Sequence, residues 1–483
     1  MPYEAVIGLE VHCQLLTASK IFCGCSTRFG DPPNSNVCPV CLGMPGVLPV
    51  LNRRAVEFAL RAALALDCEV RERSIFARKN YFYPDLPKGY QISMYDQPLA
   101  VKGHFDIEAG GTRRHVGITR IHMEEDAGKL LHEGFPDSDR KSYVDFNRSG
   151  VPLIEIVSEP DLRSPQEAHA YYFALRNILV EIGVTDGNME EGSLRCDANV
   201  SLRPKGREQL GTKAELKNLN SFKFVQHALE YEIRRQAGVL DSGGKVAQET
   251  RLYNPDLGTT DTMRSKEEAH DYRYFPEPDL PPLIVGRNWI EEVRLQLPAR
   301  TLAARREEYV ARHGLIPQVA QTLTGSHLLA DYFEAAAAAA GDAKGAANWI
   351  TTEVLRKMNE QKIDVEALPG RLPAARLGLL VKRVKDGTIS GKIAKEVFEE
   401  IFGTGKDPDQ VVREKGLGQV SDEGPIRQAI EKVVAASPDQ LAKYKGGKTT
   451  LLGYFVGQVL KATGGKANPE LVNRLLKERL DRS

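Results

Sequence analysis

The sequence lacks several features that mark well-defined classes of protein. It contains no run of eighteen apolar residues, and its N-terminus does not follow the pattern of a secretory signal peptide. We therefore expect a soluble, cytoplasmic protein that does not bind membranes. Neither a GxxxxGK[ST] loop nor the set of protein-kinase motifs occurs. Any nucleotide would thus bind on the surface of a sheet rather than at a P-loop.

The formal net charge is zero, because the 483 residues include 65 Lys and Arg and 65 Asp and Glu. The balance hides an asymmetry, since residues 371–483 contain 21 Lys and Arg against 14 Asp and Glu and the rest of the chain is acidic. A basic end on an acidic body suggests that one part binds a polyanion and that another uses carboxylates. A chain of this length has room for two or three domains.

Cysteine is scarce and unevenly distributed. Four of the seven cysteines form the pattern CxC-x12-CxxC, and the odd total argues against a disulfide framework. This pattern fits a structural zinc ion bound by four thiolates, which leaves no open position for catalysis. The predicted zinc ligands are Cys23, Cys25, Cys38 and Cys41, and unmetallated buried thiols are the alternative.

A strand with two distinct faces precedes the cysteine pattern. Its apolar face is formed by Ile7, Leu9, Val11 and Cys13. Glu10 and His12 alternate with these residues and therefore share the opposite, polar face. A carboxylate and an imidazole two residues apart are a plausible start of a metal or acid/base site, and a half-solvated strand is the alternative.

Residues 118–220 are predicted to form a series of short strands of the same kind. Within residues 118–126 one face is formed by Arg120, His122, Glu124 and Asp126. Within residues 195–203 the polar face is formed by Arg195, Asp197, Asn199, Ser201 and Arg203. The unbroken apolar face behind this second set predicts an antiparallel sheet that is covered on one side only.

Carboxylates on these strands are the candidates for chemistry. Glu155 lies within the apolar run of residues 153–157, where a carboxylate is costly without a partner. Together the polar faces carry Glu10, His12, Glu124, Glu155 and Asp197. Converging carboxylates can bind magnesium through oxygens, and nearby Arg and Lys can neutralise phosphate. The alternative is a solvated sheet face that bears surface ion pairs.

Two proline-rich segments flank these strands. Residues 79–90 form a stiffened loop that presents three tyrosines and two lysines. Aromatic rings beside cations can stack on bases and hold phosphates, although the tyrosines could equally well only pack. Residues 271–282 contain too much proline for a helix or a central strand.

Beyond about residue 290 the pattern is helical. Six alanines at residues 335–340 indicate a connecting helix, and Ser390 is the predicted N-cap of an amphipathic one. Asn468 is the predicted N-cap of the last helix. Gly453 and Gly457 are interpreted as a point of close helix packing, with contact to an RNA backbone as the alternative.

Several long motifs closely resemble one protein family. They are VIGLEVHCQL, CLGMPGVLP, RKNYFYPDLPKGYQIS, HMEEDAGK, DFNRSGVPLIEIVSEPD, SLRCDANVSLRP, DYRYFPEPDLPPL and ISGKIAKEVFEE. With the cysteine pattern they cover nearly the whole chain and resemble the B subunits of the tRNA-dependent aspartyl/glutamyl-tRNA(Asn/Gln) amidotransferase. An archaeal relative carries a large inserted domain before its tail, for which this chain has no room after Pro282.

The resemblance implies an α+β protein with three parts. A cradle domain with a mixed or antiparallel sheet and the zinc knuckle would span residues 1–290 and bind ATP, magnesium and the tRNA 3′ end. A helical connecting domain would span residues 291–370. A helical tail domain at residues 371–483 would bind the body of the tRNA.

The resemblance also implies a ligase that forms carbon–nitrogen bonds. ATP would phosphorylate the side-chain carboxylate of misacylated Glu-tRNA(Gln), Asp-tRNA(Asn) or both, and ammonia derived from glutamine would then displace the phosphate. An A subunit would supply the ammonia, and a C subunit would complete the heterotrimer.

Individual residues receive expected roles on this basis. Magnesium would be bound by Glu10, His12, Glu124 and Glu155, and Asp197 would hold a second metal or an ammonium ion. Phosphates or the tRNA end would be bound by Lys79, Lys88, Arg195 and Arg203. Two competing hypotheses are a non-catalytic, zinc-containing RNA-binding scaffold and a hydrolase that uses Glu10, His12 and water.

Overall fold

The computed structural model describes residues 2–132, 134–138, 140–265, 272–417, 423–464, 467 and 469–481. The chain forms two compact units, Met1–Ala299 and Arg300–Ser483. The first combines a large sheet with helices, and the regular elements described in the second are all helical. The predicted α+β class, with a sheet domain followed by helical domains, is therefore confirmed. The functional division at residues 290 and 370 stays a prediction.

Fifteen strands are described, and all but two belong to one sheet. In chain order, β1–β15 are Tyr3–Gln14, Glu69–Val70, Arg73–Asn80, Tyr90–Gln97, Ala100–Ala109, Thr112–Glu125, Lys129–Leu131, Tyr143–Asp145, Pro152–Ser158, Leu194–Pro204, Ala214–Lys217, Glu249–Asn254, Thr259–Ser265, Phe275–Pro276 and Leu283–Ile284. The order along the sheet is β13-β12-β11-β10-β1-β9-β6-β4-β3-β14, with β15, β2 and β5 paired beside it, and β7 pairs with β8. Among the described pairs, only β11 and β12 run parallel.

Seventeen α-helices are described. In the first unit, α1–α4 are Arg53–Ala65, Pro165–Glu181, Phe222–Asp241 and Arg287–Arg294. In the second, α5–α17 are Leu302–His313, Pro317–Leu323, His327–Ala340, Ala343–Trp349, Leu355–Gln361, Leu368–Arg371, Ala374–Lys385, Gly391–Thr404, Pro408–Glu414, Glu423–Ala435, Pro438–Lys445, Leu452–Ala462 and Pro469–Asp481. No helix within the described ranges combines the length and apolar character that spanning a bilayer requires.

β1 is an inner strand of the main sheet, between β10 and β9. Its predicted apolar face is confirmed, because the following side chains are at most 1% exposed: Ile7, Leu9, Val11 and Cys13. They share one hydrophobic core with Leu60 of α1 and Tyr171 of α2. Because this face is held in the core, Glu10 and His12 are directed to the opposite side of the sheet.

The expectation of strands throughout residues 118–220 is wrong at α2, which is 17 residues long. Ser164 is its N-cap and accepts a hydrogen bond from the backbone N–H of Glu167, and Pro165 occupies the first turn. The Glu167 carboxylate accepts a hydrogen bond from the backbone N–H of Arg163 at 2.7 Å. Ser-Pro-x-Glu is a signature of a helix N-terminus that the sequence does contain.

The second unit contains two hydrophobic cores. One includes Phe333 and Phe398 and is built from α5–α13, and the other includes Phe455 and Leu475 and is built from α14–α17. Ser390 is the N-cap of α12, as predicted, and accepts a hydrogen bond from the backbone N–H at residue 393.

The interpretation of the α16 glycines as a packing point is wrong. Gly453 and Gly457 are exposed, and a Cβ built on either would meet no described atom within 4 Å beyond its own helical surroundings. The predicted N-cap Asn468 lies outside the described residues.

Gly103 of β5 provides a test of the packing beside α1. A Cβ built on Gly103 would lie 2.1 Å from the Sγ of Cys68 and 2.7 Å from the backbone oxygen of Leu66. Because a backbone atom cannot rotate away, we expect Gly103→Ala to lower the free energy of unfolding by about 1–3 kcal/mol. Chemical denaturation of the full chain measures this change.

The matched control for Gly103 is Gly238→Ala in α3, where a Cβ would meet no atom of the described residues within 4 Å outside its own stretch of helix. Alanine there should raise the free energy of unfolding by about 0.5–1 kcal/mol. Unchanged stability of Gly103→Ala would contradict the close approach.

Candidate active site and cysteine knuckle

Strand pairing brings the predicted polar residues together. His12 of β1 lies opposite Arg195 of β10 on one side and opposite Glu155 of β9 on the other. Glu155 in turn lies opposite His122 of β6. Neighbouring strands are about 4.8 Å apart, so side chains at these positions on one face are within contact distance.

Four side chains on this face form what we call the acid–imidazole cluster: His12, His122, Glu124 and Glu155. The Nε2 atom of His12 lies 3.5 Å from Oε2 of Glu155 and 3.9 Å from Oε1 of Glu124. The Nε2 atom of His122 lies 3.3 Å from the same Glu155 oxygen and 3.7 Å from Oε2 of Glu124. The His122 side chain is 1% exposed and that of His12 is 21% exposed, so solvent reaches the cluster from the His12 side.

The charges in the cluster shift one another's pKa values. Burial lowers the pKa of His122, but Glu155 and Glu124 outweigh burial and raise it to about 9. At His12, burial also lowers the pKa, and the hydrogen bond to Glu155 reverses the shift so that the net change is upward. Burial raises the pKa of Glu155, but the two imidazoles bring it well below its usual range. Glu155 is therefore ionised at neutral pH, whereas His12, whose pKa is raised, must release its proton before its nitrogen can bind a metal.

The cluster has the spacing of metal ligands. One donor atom from each of His12, Glu124 and Glu155 lies within 4.8 Å of the other two. Ligands at about 2.1 Å from magnesium are separated by about 3–4.2 Å, which includes both distances from the His12 nitrogen. Carboxylate oxygens suit magnesium, whereas imidazole nitrogen is more typical of zinc or iron. These residues fit a divalent cation.

A second polar group lies next along β1. Glu10 accepts a hydrogen bond from Nδ2 of Asn199 at 2.8 Å. Asp197, opposite Glu10 in register, accepts a hydrogen bond from Nζ of Lys217 at 2.5 Å. Lys217 also lies 3.2 Å from Glu215. Burial first, and neighbouring carboxylates second, raise the pKa of Glu10, so a proton or a cation beside it is favoured.

The two predicted arginines of β10 occupy different places. The guanidinium of Arg195 lies 2.9 Å from Asp126 at the edge of the cluster. Arg203 pairs with Glu4 at 2.7 Å. Glu4 lies six residues before Glu10 on β1, or roughly 20 Å along the strand. The structure therefore brings Arg195 to the cluster and leaves Arg203 outside it.

Four tyrosines beside the cluster form what we call the tyrosine wall: Tyr81, Tyr95, Tyr272 and Tyr274. Their ring centroids are 5.1–6.1 Å apart in succession. The ring of Tyr95 lies 6.3 Å from that of His122, and Nζ of Lys79 lies 5.0 Å from the ring of Tyr272. Aromatic rings next to a cation and to the acids form a surface on which a base can stack.

Lys88 lies on the side of the sheet that faces away from the acid–imidazole cluster. It pairs with Glu125. Adjacent residues of a strand face opposite ways, so Glu125 is directed away from Glu124. Lys88 and Glu125 line a cavity of about 240 Å³ together with Cys41 of the knuckle. The structure thus does not bring Lys88 to the acid–imidazole cluster.

The four predicted zinc ligands converge. One Sγ atom from each of Cys23, Cys25, Cys38 and Cys41 lies within 4.8 Å of the others. The Sγ atoms of Cys38 and Cys41 are 3.9 Å apart. Tetrahedral zinc with Zn–S bonds of about 2.3 Å requires sulfur atoms about 3.8 Å apart, so the set fits a closed four-coordinate site.

The surroundings of the knuckle act differently on its thiols: the hydrogen bond between Cys23 and Cys41 raises the pKa of Cys23, and burial raises that of Cys25 to about 11. A hydrogen bond from Cys23 lowers the pKa of the Cys41 thiol to about 4, and the Cys38 backbone N–H and the Lys20 ammonium act in the same direction. Lys20 is fully buried, and its Nζ lies 3.6 Å from the Cys41 sulfur. A buried cation at this point offsets part of the negative charge that four thiolates would carry.

Three residues of the site were not among those chosen from the sequence: His122, Asp126 and Lys217. His122 shares the alternation of Glu124, so the strand pattern contained the signal. Asp126 lies on the same predicted face, but its contact with Arg195, like that of Lys217 with Asp197, depends on the pairing of strands that are distant in the sequence.

Comparison with known proteins agrees with this architecture. The family model described as GatB/GatE catalytic domain matches residues 5–291, and the one described as GatB domain matches residues 331–480. The B subunit of the aspartyl/glutamyl-tRNA(Asn/Gln) amidotransferase of Geotalea uraniireducens (strain Rf4) is 56% identical over 481 residues, which cover 100% of both chains. Its counterpart in Solidesulfovibrio magneticus is 58% identical over 478 residues, covering 99% of both. The chain therefore belongs to the GatB family.

Proposed function

We propose that the protein uses ATP to phosphorylate the side-chain carboxylate of misacylated Glu-tRNA(Gln), Asp-tRNA(Asn) or both, and that ammonia then displaces the phosphate to form the amide. This activity is that of a ligase that forms carbon–nitrogen bonds. The observation that supports it most directly is the acid–imidazole cluster on one face of the sheet, in a chain whose relatives are named as B subunits of a tRNA amidotransferase.

Phosphoryl transfer to a carboxylate needs positioning and charge neutralisation more than a protein nucleophile. The aminoacyl carboxylate attacks the γ-phosphorus, the bond to ADP breaks, and the acyl phosphate is then open to attack by ammonia. Glu124, Glu155 and His12 would hold magnesium, with Glu10 adding a further carboxylate. When bound, magnesium supplies positive charge to the phosphate oxygens.

Other side chains would act around this centre. Lys79 lies beside the tyrosine wall and Arg195 lies at the edge of the cluster, so both are placed to neutralise phosphate charge. Asp197 would hold a second metal or the ammonium ion, and its partner Lys217 keeps its carboxylate in place. Lys88 and Arg203 pair with acids outside the cluster, so we do not extend the phosphate role to them.

The remaining parts would serve assembly and tRNA binding. We propose a cytoplasmic heterotrimer in which an A subunit releases ammonia from glutamine and a C subunit joins the two larger chains. The knuckle would hold zinc and stabilise the cradle domain of residues 1–290. Residues 291–370 would connect this domain to the basic tail of residues 371–483, which would contact the tRNA body.

The deciding experiment uses the complex reconstituted with A and C subunits, Glu-tRNA(Gln) and γ-labelled ATP, without any source of ammonia. We expect release of labelled phosphate that requires Glu-tRNA and is not supported by uncharged tRNA. An RNA-binding scaffold would bind the tRNA without releasing phosphate, and a hydrolase would act on its substrate without ATP. Either outcome would overturn the proposal.

A further inference from the structure

Arg120 is a basic residue on the same strand face as the acid–imidazole cluster that none of the roles above includes. It lies on β6 two residues before His122, and it is opposite Val157 of β9. Val157 is in turn opposite Glu10 of β1. Arg120 and Glu10 are therefore two strand spacings apart, or about 10 Å, across the sheet.

The ring of Tyr95 shows where the Arg120 side chain lies. The Cζ atom of Arg120 is 4.5 Å from the centroid of this ring, and the His122 ring is 6.3 Å from it. The guanidinium thus rests on the tyrosine wall beside an imidazole of the cluster. Stacking on an aromatic ring leaves the planar edge of a guanidinium available for hydrogen bonding.

Arg120 has no acidic partner among the described residues, in contrast to Arg195 and Lys217. Arg195 pairs with Asp126 and Lys217 pairs with Asp197. Within the part of the chain that the structure describes, no carboxylate oxygen lies within 4.0 Å of the Arg120 guanidinium, and its buried Nε has no hydrogen-bond acceptor. A buried donor without an acceptor is costly, so an acceptor from a ligand is the natural partner.

The same face carries other buried polar atoms that have no hydrogen-bond partner among the described residues. Besides Nε of Arg120, these are Nδ1 of His122 and Oδ1 of Asn199. Only nine such atoms occur among the described residues, so three on one sheet face mark a surface whose polar partners are supplied from outside the chain.

We propose that Arg120 binds a phosphate group of the nucleotide at the acid–imidazole cluster, with Tyr95 holding the guanidinium plane in position. A guanidinium presents two parallel N–H groups to two oxygens of one phosphate and keeps its charge at all relevant pH values. Arg120 would add a second positive charge beside His122 on the β6 side of the cluster. This inference rests on the proposed function, because it requires a nucleotide at this site.

The test uses the complex with A and C subunits and measures phosphate release that depends on Glu-tRNA, as a function of ATP concentration. Arg120→Met keeps much of the side-chain volume against Tyr95 but removes every donor. We expect kcat/KM for ATP to fall by about 100-fold or more, as for loss of a donor to transition-state charge. The matched control is Arg113→Met on the same strand, where the arginine is exposed and pairs with Asp106. This control should retain wild-type activity.

Chemical rescue distinguishes a phosphate-binding role of Arg120 from a purely structural one. Guanidinium ion, added at concentrations below those that denature the complex, should restore part of the activity of Arg120→Ala and should not affect Arg113→Ala. Arg120→Lys should retain charge but lose the paired hydrogen bonds, and we expect an intermediate activity. Thermal denaturation of each variant shows whether the complex remains folded.

Three results would overturn the assignment of Arg120. The first is that Arg120→Met shows the same kinetics with ATP as the wild type. The second is that guanidinium ion restores no activity to a folded Arg120→Ala complex, and the third is that the variant binds tRNA more weakly while its KM for ATP is unchanged. Weakened tRNA binding with an unchanged KM for ATP would mean that Arg120 contacts a phosphate of the RNA and not one of the nucleotide. Absence of tRNA-dependent phosphate release in the wild-type complex would instead contradict the proposed function itself.

Discussion

Glu124→Gln is expected to reduce Glu-tRNA-dependent phosphate release by about 100-fold or more in the complex with A and C subunits. The substitution keeps the shape of the side chain and removes one of the two carboxylates that contact both imidazoles of the cluster. Without that charge the divalent cation is held less tightly, and charge on the transferred phosphoryl group is less well neutralised. Phosphate release from γ-labelled ATP over a range of magnesium concentrations measures the effect.

The magnesium series makes the interpretation of Glu124→Gln specific. A weakened metal site should be partly restored by high magnesium, whereas a folding defect should not. Glu159→Gln, at an exposed carboxylate just after β9, is the matched control and should retain wild-type release. Equal phosphate release in wild type and Glu124→Gln would mean that the carboxylates of the cluster are structural.

Cys38→Ser is expected to remove zinc from the protein and to lower its thermal stability markedly. The four cysteine sulfurs lie within 4.8 Å of one another, so each supplies one of four ligands of a closed site. Structural zinc contributes directly to folding free energy, with apparent binding free energies of about 10–16 kcal/mol in small zinc domains at neutral pH. Metal analysis of the purified chain should give one zinc per chain in wild type and almost none in the variant.

Cys68→Ser is the control for the knuckle. Cys68 is also buried, but it lies after α1, and its Sγ contacts the backbone oxygen of Leu66 at 3.8 Å. This variant should retain one zinc per chain. A wild-type protein without zinc, or a Cys38→Ser protein that keeps it, would contradict the assignment of the knuckle as a zinc site.

Local patterns in the sequence were sufficient for the elements and for most of the chemistry. The period of two in β1 predicts that Leu9 is buried and that Glu10 and His12 are on the polar face. Side chains alternate between the two faces of a strand, so burial of one face directs the intervening residues to the other. The cysteine spacing predicts the knuckle, because thiolate ligands of one zinc ion must lie close together in short loops. Both features are properties of a few neighbouring residues.

The local signals were incomplete where two of them competed. The Ser-Pro-x-Glu signature at residues 164–167 predicts α2, but the strand pattern on both sides obscured it. Gly453 and Gly457 have the spacing of a helix-packing motif, yet no other element among the described residues comes within 4 Å of a Cβ built on either. Spacing indicates which residues share a helix face, and only the packing of other elements determines what that face contacts.

The tertiary structure decided which polar residues meet. His12, Glu124 and Glu155 lie on three different strands, and their contact depends on the antiparallel registers of β1 with β9 and of β9 with β6. The same registers place Arg203 about six residues away from Glu10 along β1 and leave Arg120 against Tyr95 without an acidic partner among the described residues. The register between distant strands is set by the burial of their apolar faces across the whole sheet. No short stretch of sequence determines it, because every strand of the sheet contributes.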